Sequence, residues 1–283
     1  MEIGTIGIVG AGTMGNGIAQ TAATAGWNVI VIDVAEAALT NGLALLKSNL
    51  DRLVSKDKLD SEARSAALAR VRFSTDYQQL SDADLVIEAA TENVALKHRI
   101  LGQIESVARP GAIIATNTSS ISVTALAASL SDASRFIGMH FFNPAPLMPL
   151  VEIIRGLQTS DATADAISEL TKRLGKTPIV VRNSPGFVVN RILVPMINEA
   201  FFVLAEGIAS ADEIDAGMKL GANQPIGPLA LADLVGLDVC LSVMEVFLND
   251  FGDPKYRPAP LLREFVAAGR LGRKTGQGVY RYD

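Results

Sequence analysis

Short apolar runs alternate with helical patterns along the first 183 residues of the chain. Runs of three to five mostly apolar residues are typical of strands that are buried on both faces of a parallel sheet. Strands are predicted at residues 5–9, 28–32, 85–87, 113–115, 136–139, 151–154 and 179–181. Their alternation with helices predicts an α/β fold with a doubly wound, mainly parallel sheet.

Two helical patterns fill the stretch between the second and third predicted strands. The first is marked by leucines at helical spacing, which are Leu39, Leu43, Leu46, Leu50 and Leu53. The second is a charged helix predicted over residues 61–70. Because a crossover between parallel strands needs only one helix, we expect an inserted helical hairpin between Asp33 and the strand at residues 85–87.

The pattern becomes helical throughout from residue 184. Serine caps helices and proline suits a first turn, so Ser184 and Pro185 predict a helix start. An apolar stripe follows over residues 188–204, and Ser210 with Glu213 predicts a capping box for the next helix. No strand pattern occurs between residues 187 and 268. We therefore predict a sheet domain over residues 1–183 and an all-helical domain over residues 184–283.

Composition limits the classes of partner. The 283 residues are 49% hydrophobic and 19% charged, which is typical of a globular protein of two domains. A net charge of −5 argues against general affinity for nucleic acid or anionic membranes. Apolar runs fall short of the ~20 residues of a membrane span, and the first four residues lack the basic start of a signal peptide. The single cysteine, Cys240, predicts a small buried side chain and a reducing compartment, so we expect a cytoplasmic protein.

A glycine-rich motif joins the first predicted strand to the first predicted helix. Its residues are Gly10, Ala11, Gly12, Thr13, Met14 and Gly15, in the pattern GxGxxG. The first glycine permits a tight turn, the second lets a pyrophosphate approach the backbone, and the third lets the helix pack on the strand. The amides of the helix N-terminus favour phosphate groups. The motif therefore predicts a Rossmann-type dinucleotide site.

Asp33 ends the second predicted strand, 18 residues after Gly15. An acidic residue at this position binds a ribose 2′-hydroxyl and repels a 2′-phosphate. We therefore expect NAD rather than NADP. The glycine motif alone is also compatible with FAD.

The two histidines occupy different settings. His98 lies in a charged stretch that is predicted to face outward on a helix, whereas His140 follows a strand, at the sheet edge where open α/β sheets bind ligands. Glu152 comes twelve residues later, after a proline-rich turn, and a hairpin-like return would bring it beside His140. A carboxylate there would fix the imidazole tautomer. The alternative is a core histidine with Glu152 as a surface charge, and the dinucleotide motif favours catalysis.

Further polar residues are candidates for the same site. Asn117 and Ser119 follow a predicted strand end, where we place Asn117 among the cofactor contacts. Ser119 either bonds a substrate or caps a helix over residues 123–130. Asn190 lies one turn inside the first helix of the second domain, as a substrate contact or a structural hydrogen bond. Lys56 lies at the end of the first helix of the hairpin. It either contacts a ligand or is a solvated cation at the helix end. No metal site is expected.

Several segments together resemble the bacterial short-chain L-3-hydroxyacyl-CoA dehydrogenases over nearly the whole chain. These segments are residues 10–20, 117–120, 138–144, 183–191, 218–221 and 273–276. Residues 138–144 and 185–191 are much more specific than the glycine motif. The resemblance implies NAD-dependent, reversible oxidation of a (3S)-3-hydroxyacyl-CoA to the 3-ketoacyl-CoA, with 3-hydroxybutyryl-CoA as the expected substrate. It also implies a homodimer built through the helical domain.

The resemblance assigns roles to individual residues. The implied catalytic and substrate residues are His140 as general base, Glu152 as its orienting carboxylate, Ser119 and Asn190. The implied further NAD contacts are Glu92, Lys97, Asn143 and Lys274. Lys56 matches a lysine that contacts coenzyme A, whereas Asn49 stands where some relatives carry a CoA-contacting serine. Two rival functions are a dehydrogenase of a free 3-hydroxy or sugar acid, of the gulonate type, and a catalytically silent NAD-binding protein.

Overall fold

A computed structural model describes residues 3–282 of the chain. Met1 and Glu2, which belong to the segment that lacks a signal-peptide pattern, lie outside the described residues, as does Asp283. The chain divides after Ser184 into two compact units. Within residues 3–282, every helix is too short or too polar to span a bilayer.

Eight strands form a single sheet in the first unit. They are β1 (Thr5–Val9), β2 (Asn28–Ile32), β3 (Val71–Ser74), β4 (Leu85–Glu88), β5 (Ile113–Thr116), β6 (Phe136–Phe141), β7 (Leu150–Arg155) and β8 (Thr177–Arg182). Their order is β3-β2-β1-β4-β5-β6-β7-β8, and every pairing is parallel except that of β6 with β7. The predicted mainly parallel, Rossmann-type sheet is confirmed.

Six α-helices flank this sheet. They are α1 (Thr13–Thr24), α2 (Glu36–Val54), α3 (Ser61–Ala69), α4 (Val94–Val107), α5 (Val123–Ala127) and α6 (Asp161–Arg173). The central strands bury apolar side chains on both faces, and Ile6, Ile8 and Ile87 are fully buried. Burying a side chain of this size stabilises the fold by about 1.5–3 kcal/mol. The continuous apolar runs in the sequence are therefore central strands covered by helices.

The strand β3 differs from the predicted organisation. The hairpin of α2 and α3 leads into β3, which pairs with β2 in the register Val29↔Val71, so the expectation that it leads directly to the strand at residues 85–87 is wrong. The strand is only four residues long, and none of them is fully buried. A short edge strand of this kind lacks the continuous apolar run by which the other strands were predicted.

The second unit is helical. Its α-helices are α7 (Val189–Ala205), α8 (Ala211–Gly221), α9 (Pro228–Val235), α10 (Leu237–Phe251) and α11 (Pro260–Ala267). The predicted all-helical domain and the capping box of Ser210 with Glu213 are confirmed. The helix start expected at Ser184 is wrong, because Gly186 (φ 71°) and Phe187 (φ 52°) form a turn before α7. As a result, Val188 is the N-cap and makes no side-chain capping bond.

Two side chains illustrate the packing of this unit. The Asp233 carboxylate, 1% exposed, accepts hydrogen bonds from the amides of Val279 and Tyr280, both at 2.9 Å, and so ties the C-terminal residues to α9. Cys240 is buried in the helical core, as its sequence setting predicts. Burial, reinforced by the negative charges of Asp238 and Asp233, raises the pKa of the Cys240 thiol to about 12.

Candidate active site

His140 and Glu152 face each other across the one antiparallel pairing of the sheet. The register of β6 and β7 pairs His140 with Glu152, and His140 Nδ1 lies 2.7 Å from Glu152 Oε2. The Glu152 residue is 0% exposed and His140 is 6% exposed. The structure therefore brings together the two residues that the sequence pairs, near the carboxyl end of β6.

The hydrogen bond from Nδ1 to the carboxylate determines which ring nitrogen can exchange a proton. When Nδ1 carries its proton toward Glu152, Nε2 of the neutral imidazole is a proton acceptor. A buried carboxylate also stabilises the imidazolium that forms when Nε2 takes up a proton. The ring of Phe142 lies against the imidazole, with centroids 4.5 Å apart. With Nδ1 bonded to Glu152, Nε2 is the ring nitrogen left to face a ligand in this tautomer.

Two candidate residues after β5 make different contacts. Asn117 Oδ1 accepts a hydrogen bond of 2.9 Å from the amide of Phe141, which follows His140 in the chain. The amide and hydroxyl of Ser119 donate to Glu92 Oε1 at 2.7 and 3.1 Å. The alternative role of Ser119 as a helix cap is wrong, because Ser122 caps α5 through the amide of Ala125.

A buried ion pair that the sequence analysis did not single out supports these residues. Glu88, at the end of β4, is 0% exposed, and its Oε2 lies 2.5 Å from the ammonium of Lys97, which is 1% exposed. The same oxygen accepts a bond of 2.7 Å from the Thr116 hydroxyl. A carboxylate at the end of an apolar strand was the available sequence signal. Lys97 is buried against Glu88, and its Nζ lies 3.9 Å from Glu92 Oε2. The contact of Lys97 with NAD remains a prediction.

The glycine motif has the geometry of a dinucleotide cradle. Gly10 has a φ of 109°, and a Cβ there would collide with the backbone of Ala89 and Ala90. A Cβ on Gly15 would collide with the carbonyl of Gly10, so helix and strand are closely packed. Gly12 is the N-cap of α1 and has open space beside it, with no atom within 4 Å of an added Cβ. Phosphates can therefore approach this helix N-terminus.

Asp33 lies beside the same motif. Its Oδ2 accepts a bond of 2.9 Å from the amide of Ala11, and it lines a cavity of about 370 Å³ together with Tyr77 and Arg99. Burial, and then the negative charge of Asp33, raises the pKa of the Tyr77 hydroxyl. The cradle and this carboxylate fit a dinucleotide with a free ribose hydroxyl, which places the chain in the class of dinucleotide-binding proteins.

Two further site candidates line another cavity of the first unit. Asn49 and Asn143 line a space of about 510 Å³, together with Arg52 and Lys58. Its basic side chains suit a polyanionic ligand. Lys56 is exposed in the turn after α2 and does not line this cavity, so its contact with coenzyme A remains a prediction.

The remaining candidates lie in the second unit. Asn190 is the second residue of α7 and is half-buried, so it lies at the helix start rather than one turn inside. The ammonium of Lys274 forms an ion pair of 2.6 Å with Asp238. Across residues 3–282, no three His, Cys, Asp or Glu side chains converge as they would around a metal ion.

Comparison with known proteins identifies the family. The profile described as 3-hydroxyacyl-CoA dehydrogenase, NAD binding domain, matches residues 5–184, and the profile of the C-terminal domain of the same family matches residues 186–282. The chain belongs to the 3-hydroxyacyl-CoA dehydrogenase family. It is therefore an NAD-dependent oxidoreductase.

The similarity to individual relatives extends over the whole chain. A "Probable 3-hydroxybutyryl-CoA dehydrogenase" of Deinococcus radiodurans is 51% identical over 276 residues, which cover 98% of this chain and 99% of that protein. The "3-hydroxybutyryl-CoA dehydrogenase" of Bradyrhizobium diazoefficiens is 51% identical over 277 residues, covering 98% and 94%. The crystal structure of "(S)-3-hydroxybutyryl-CoA dehydrogenase PaaH1 from Ralstonia eutropha" has a TM-score of 0.98 at 63% identity and covers 100% of both chains.

The buried Glu88–Lys97 pair predicts a large loss of stability when one partner is removed. Glu88→Gln leaves the Lys97 ammonium buried without its carboxylate, so we expect the free energy of unfolding to fall by about 3–5 kcal/mol. Urea unfolding followed by circular dichroism measures the loss. The matched control is Glu169→Gln, which removes an exposed ion pair with Lys172 and is expected to change stability by about 0–1 kcal/mol. An equally small loss in both variants would contradict this assignment.

Proposed function

We propose that this protein catalyses the reversible, NAD-dependent oxidation of a short-chain (3S)-3-hydroxyacyl-CoA to the 3-ketoacyl-CoA. The observation that carries the proposal is the buried His140–Glu152 pair at the edge of a dinucleotide-binding sheet. The names of the relatives support 3-hydroxybutyryl-CoA as the substrate.

The proposed role of His140 is general acid–base catalysis. In oxidation, Nε2 of His140 takes the proton of the 3-hydroxyl group while C3 gives up its hydride, so that the C3–O bond becomes a carbonyl. Bound NAD⁺ supplies the hydride acceptor. Glu152 holds the ring and stabilises its protonated form, because its carboxylate accepts a hydrogen bond of 2.7 Å from Nδ1. In the reverse reaction, protonated His140 returns the proton to the substrate oxygen.

Ser119 and Asn190 are proposed to orient the substrate. The amide and the hydroxyl of Ser119 both donate hydrogen bonds to Glu92, which would fix the position of Ser119. Glu92 would therefore act in two ways, by positioning Ser119 and by contacting NAD. Asn49 and Lys56 are the proposed contacts of the coenzyme A moiety.

The proposed cofactor contacts come from several elements of the chain. The glycine motif contributes Gly10, Gly12, Thr13, Met14 and Gly15, whose backbone would hold the pyrophosphate. Asp33 would bind the ribose hydroxyl. The other proposed contacts are Glu92, Lys97, Asn117, Asn143 and Lys274.

We also propose a homodimer formed through the domain of residues 184–283. Large apolar side chains on its helices are exposed, among them Ile192 at 68% and Leu220 at 86%. Exposed apolar area of this kind is typical of a surface that another protein covers. Light scattering of the purified chain is expected to give twice the 29.8 kDa of one chain, and a monomer at micromolar concentration would contradict the proposal.

Replacing the proposed base is expected to separate turnover from cofactor binding. His140→Gln should lower kcat by at least about 100-fold, since general acid–base catalysis typically contributes 10²–10⁴. NADH binding, measured by fluorescence titration, should stay close to that of the unaltered protein. His98→Gln is the matched control, because it removes the other histidine, on α4. Near-normal turnover in His140→Gln would remove the residue from its role.

Asp33 is expected to set the preference for NAD. Asp33→Ala removes the acceptor for the ribose hydroxyl and the charge that repels a 2′-phosphate, so KM for NADH should rise while that for NADPH falls. Steady-state rates with both cofactors measure the change. An unaltered ratio of the two KM values would count against Asp33.

Substrate choice distinguishes the proposal from its rivals. Oxidation of NADH should be fast with acetoacetyl-CoA and slow with acetoacetate or other free 3-keto acids. A strong preference for a free acid would favour a dehydrogenase of the gulonate type. Tight NADH binding with no turnover of any acyl-CoA would favour a silent NAD-binding protein.

A further inference from the structure

One buried ammonium holds the loop that joins β6 to β7. Lys176, in the turn between α6 and β8, is 8% exposed. Its Nζ donates to the carbonyls of Ala145 at 2.7 Å, Met148 at 2.8 Å and Pro146 at 3.1 Å. All three donors of the ammonium therefore have acceptors within the loop of residues 142–149.

This arrangement has a cost that simpler contacts would avoid. Burial alone lowers the pKa of the Lys176 ammonium, because removal from water disfavours the charged form. A neutral side chain of similar length would fill the same space without that desolvation. The charge must therefore be explained by what the loop requires.

The loop has few backbone donors with which to hold itself in place. Pro144, Pro146 and Pro149 have no N–H group, and the amides of Leu147 and Met148 both donate to the carbonyl of Pro144. The carbonyls of Ala145, Pro146 and Met148 are the ones that Lys176 binds. Next to Lys176, the amide of Thr177 donates to Pro149 O at 2.7 Å. Lys176 and Thr177 thus donate hydrogen bonds to four carbonyls of the loop.

The clamped loop is the direct connection between the two halves of the His140–Glu152 pair. His140 lies two residues before the loop begins, and Glu152 lies three residues after it ends. Phe142, the first loop residue, packs on the imidazole, and the loop also carries Asn143. A displacement of the loop would move Phe142, which packs on the imidazole, and so disturb the ring that lies 2.7 Å from Glu152.

We propose that Lys176 is a positioning residue of the active site, which clamps the loop of residues 142–149 so that Glu152 stays against His140. The inference rests on the proposed function of that pair. Displacements of about 1 Å in a catalytic group can reduce turnover about 100-fold, so a positioning residue has a kinetic effect without touching the substrate.

The test compares two substitutions at this position with one at an exposed neighbour. Lys176→Met removes the ammonium but keeps the length, Lys176→Arg keeps the charge and donors, and Lys172→Met changes an exposed lysine on α6. We expect kcat with acetoacetyl-CoA to fall at least tenfold in Lys176→Met, with the Kd for NADH within twofold. Lys176→Arg should recover a large part of kcat, and Lys172→Met should match the unaltered protein.

Chemical rescue keeps the test valid if Lys176→Met folds poorly. Lys176→Ala lacks the atoms of a propylammonium ion, and because Lys176 lines the cavity of about 510 Å³, a small amine can enter. Propylammonium should raise kcat of Lys176→Ala in a saturable way, whereas 1-propanol, which lacks the charge, should not.

Two results would overturn the inference. One is a kcat of Lys176→Met within twofold of the unaltered protein. The other is a loss of activity that follows the loss of folded protein, with no recovery by arginine or propylammonium. Failure of the proposed function is distinguishable, because His140→Gln would then retain turnover whatever Lys176 does.

Discussion

The hydrogen bond between His140 Nδ1 and Glu152 Oε2 depends on one reversal of strand direction. Seven strand pairings build the sheet, and six of them are parallel. Because β7 returns antiparallel to β6, a residue only twelve positions after His140 lies directly opposite it. A parallel β7 would have needed a crossover of a dozen or more residues before it could begin. The antiparallel pairing thus places Glu152 beside His140, near the carboxyl end of β6.

Burial of the His140–Glu152 pair requires that its polar groups have hydrogen-bond partners. An ionised carboxylate at 0% exposure is stable only with hydrogen-bond donors around it, and His140 supplies one of them. The same principle applies at the end of β4, where Glu88 is buried against Lys97 and Thr116. From there the contacts reach Glu92 and Ser119. The first unit therefore holds two buried carboxylates with fixed partners, Glu152 beside His140 and Glu88 beside Lys97.

Features carried by local pattern could be predicted from the sequence. Continuous apolar runs predict the central strands, and the glycine motif with Asp33 predicts the dinucleotide site. The proximity of His140 and Glu152 followed from two strands and a proline-rich turn between them. Each of these features depends on residues close in the chain, where periodicity and turn chemistry are informative.

Features that depend on tertiary contacts could not be predicted from the sequence. The edge strand β3 is too short to show a pattern, and the start of α7 depends on positive φ angles at Gly186 and Phe187. A lysine after a glycine, such as Lys176, resembles any solvated turn residue until its three carbonyl partners are seen. The alternative of Ser119 as a helix cap is excluded only by Ser122, three residues away, which caps α5.

The most direct test of the central claim is a double-mutant cycle on the pair. The kcat for reduction of acetoacetyl-CoA is measured for His140→Gln, Glu152→Gln and the double variant. If Glu152 acts through the imidazole, its replacement lowers kcat only while His140 is present, and the double variant matches His140→Gln. If the double variant instead loses the product of the two single effects, the residues act independently and the account of a coupled pair is contradicted.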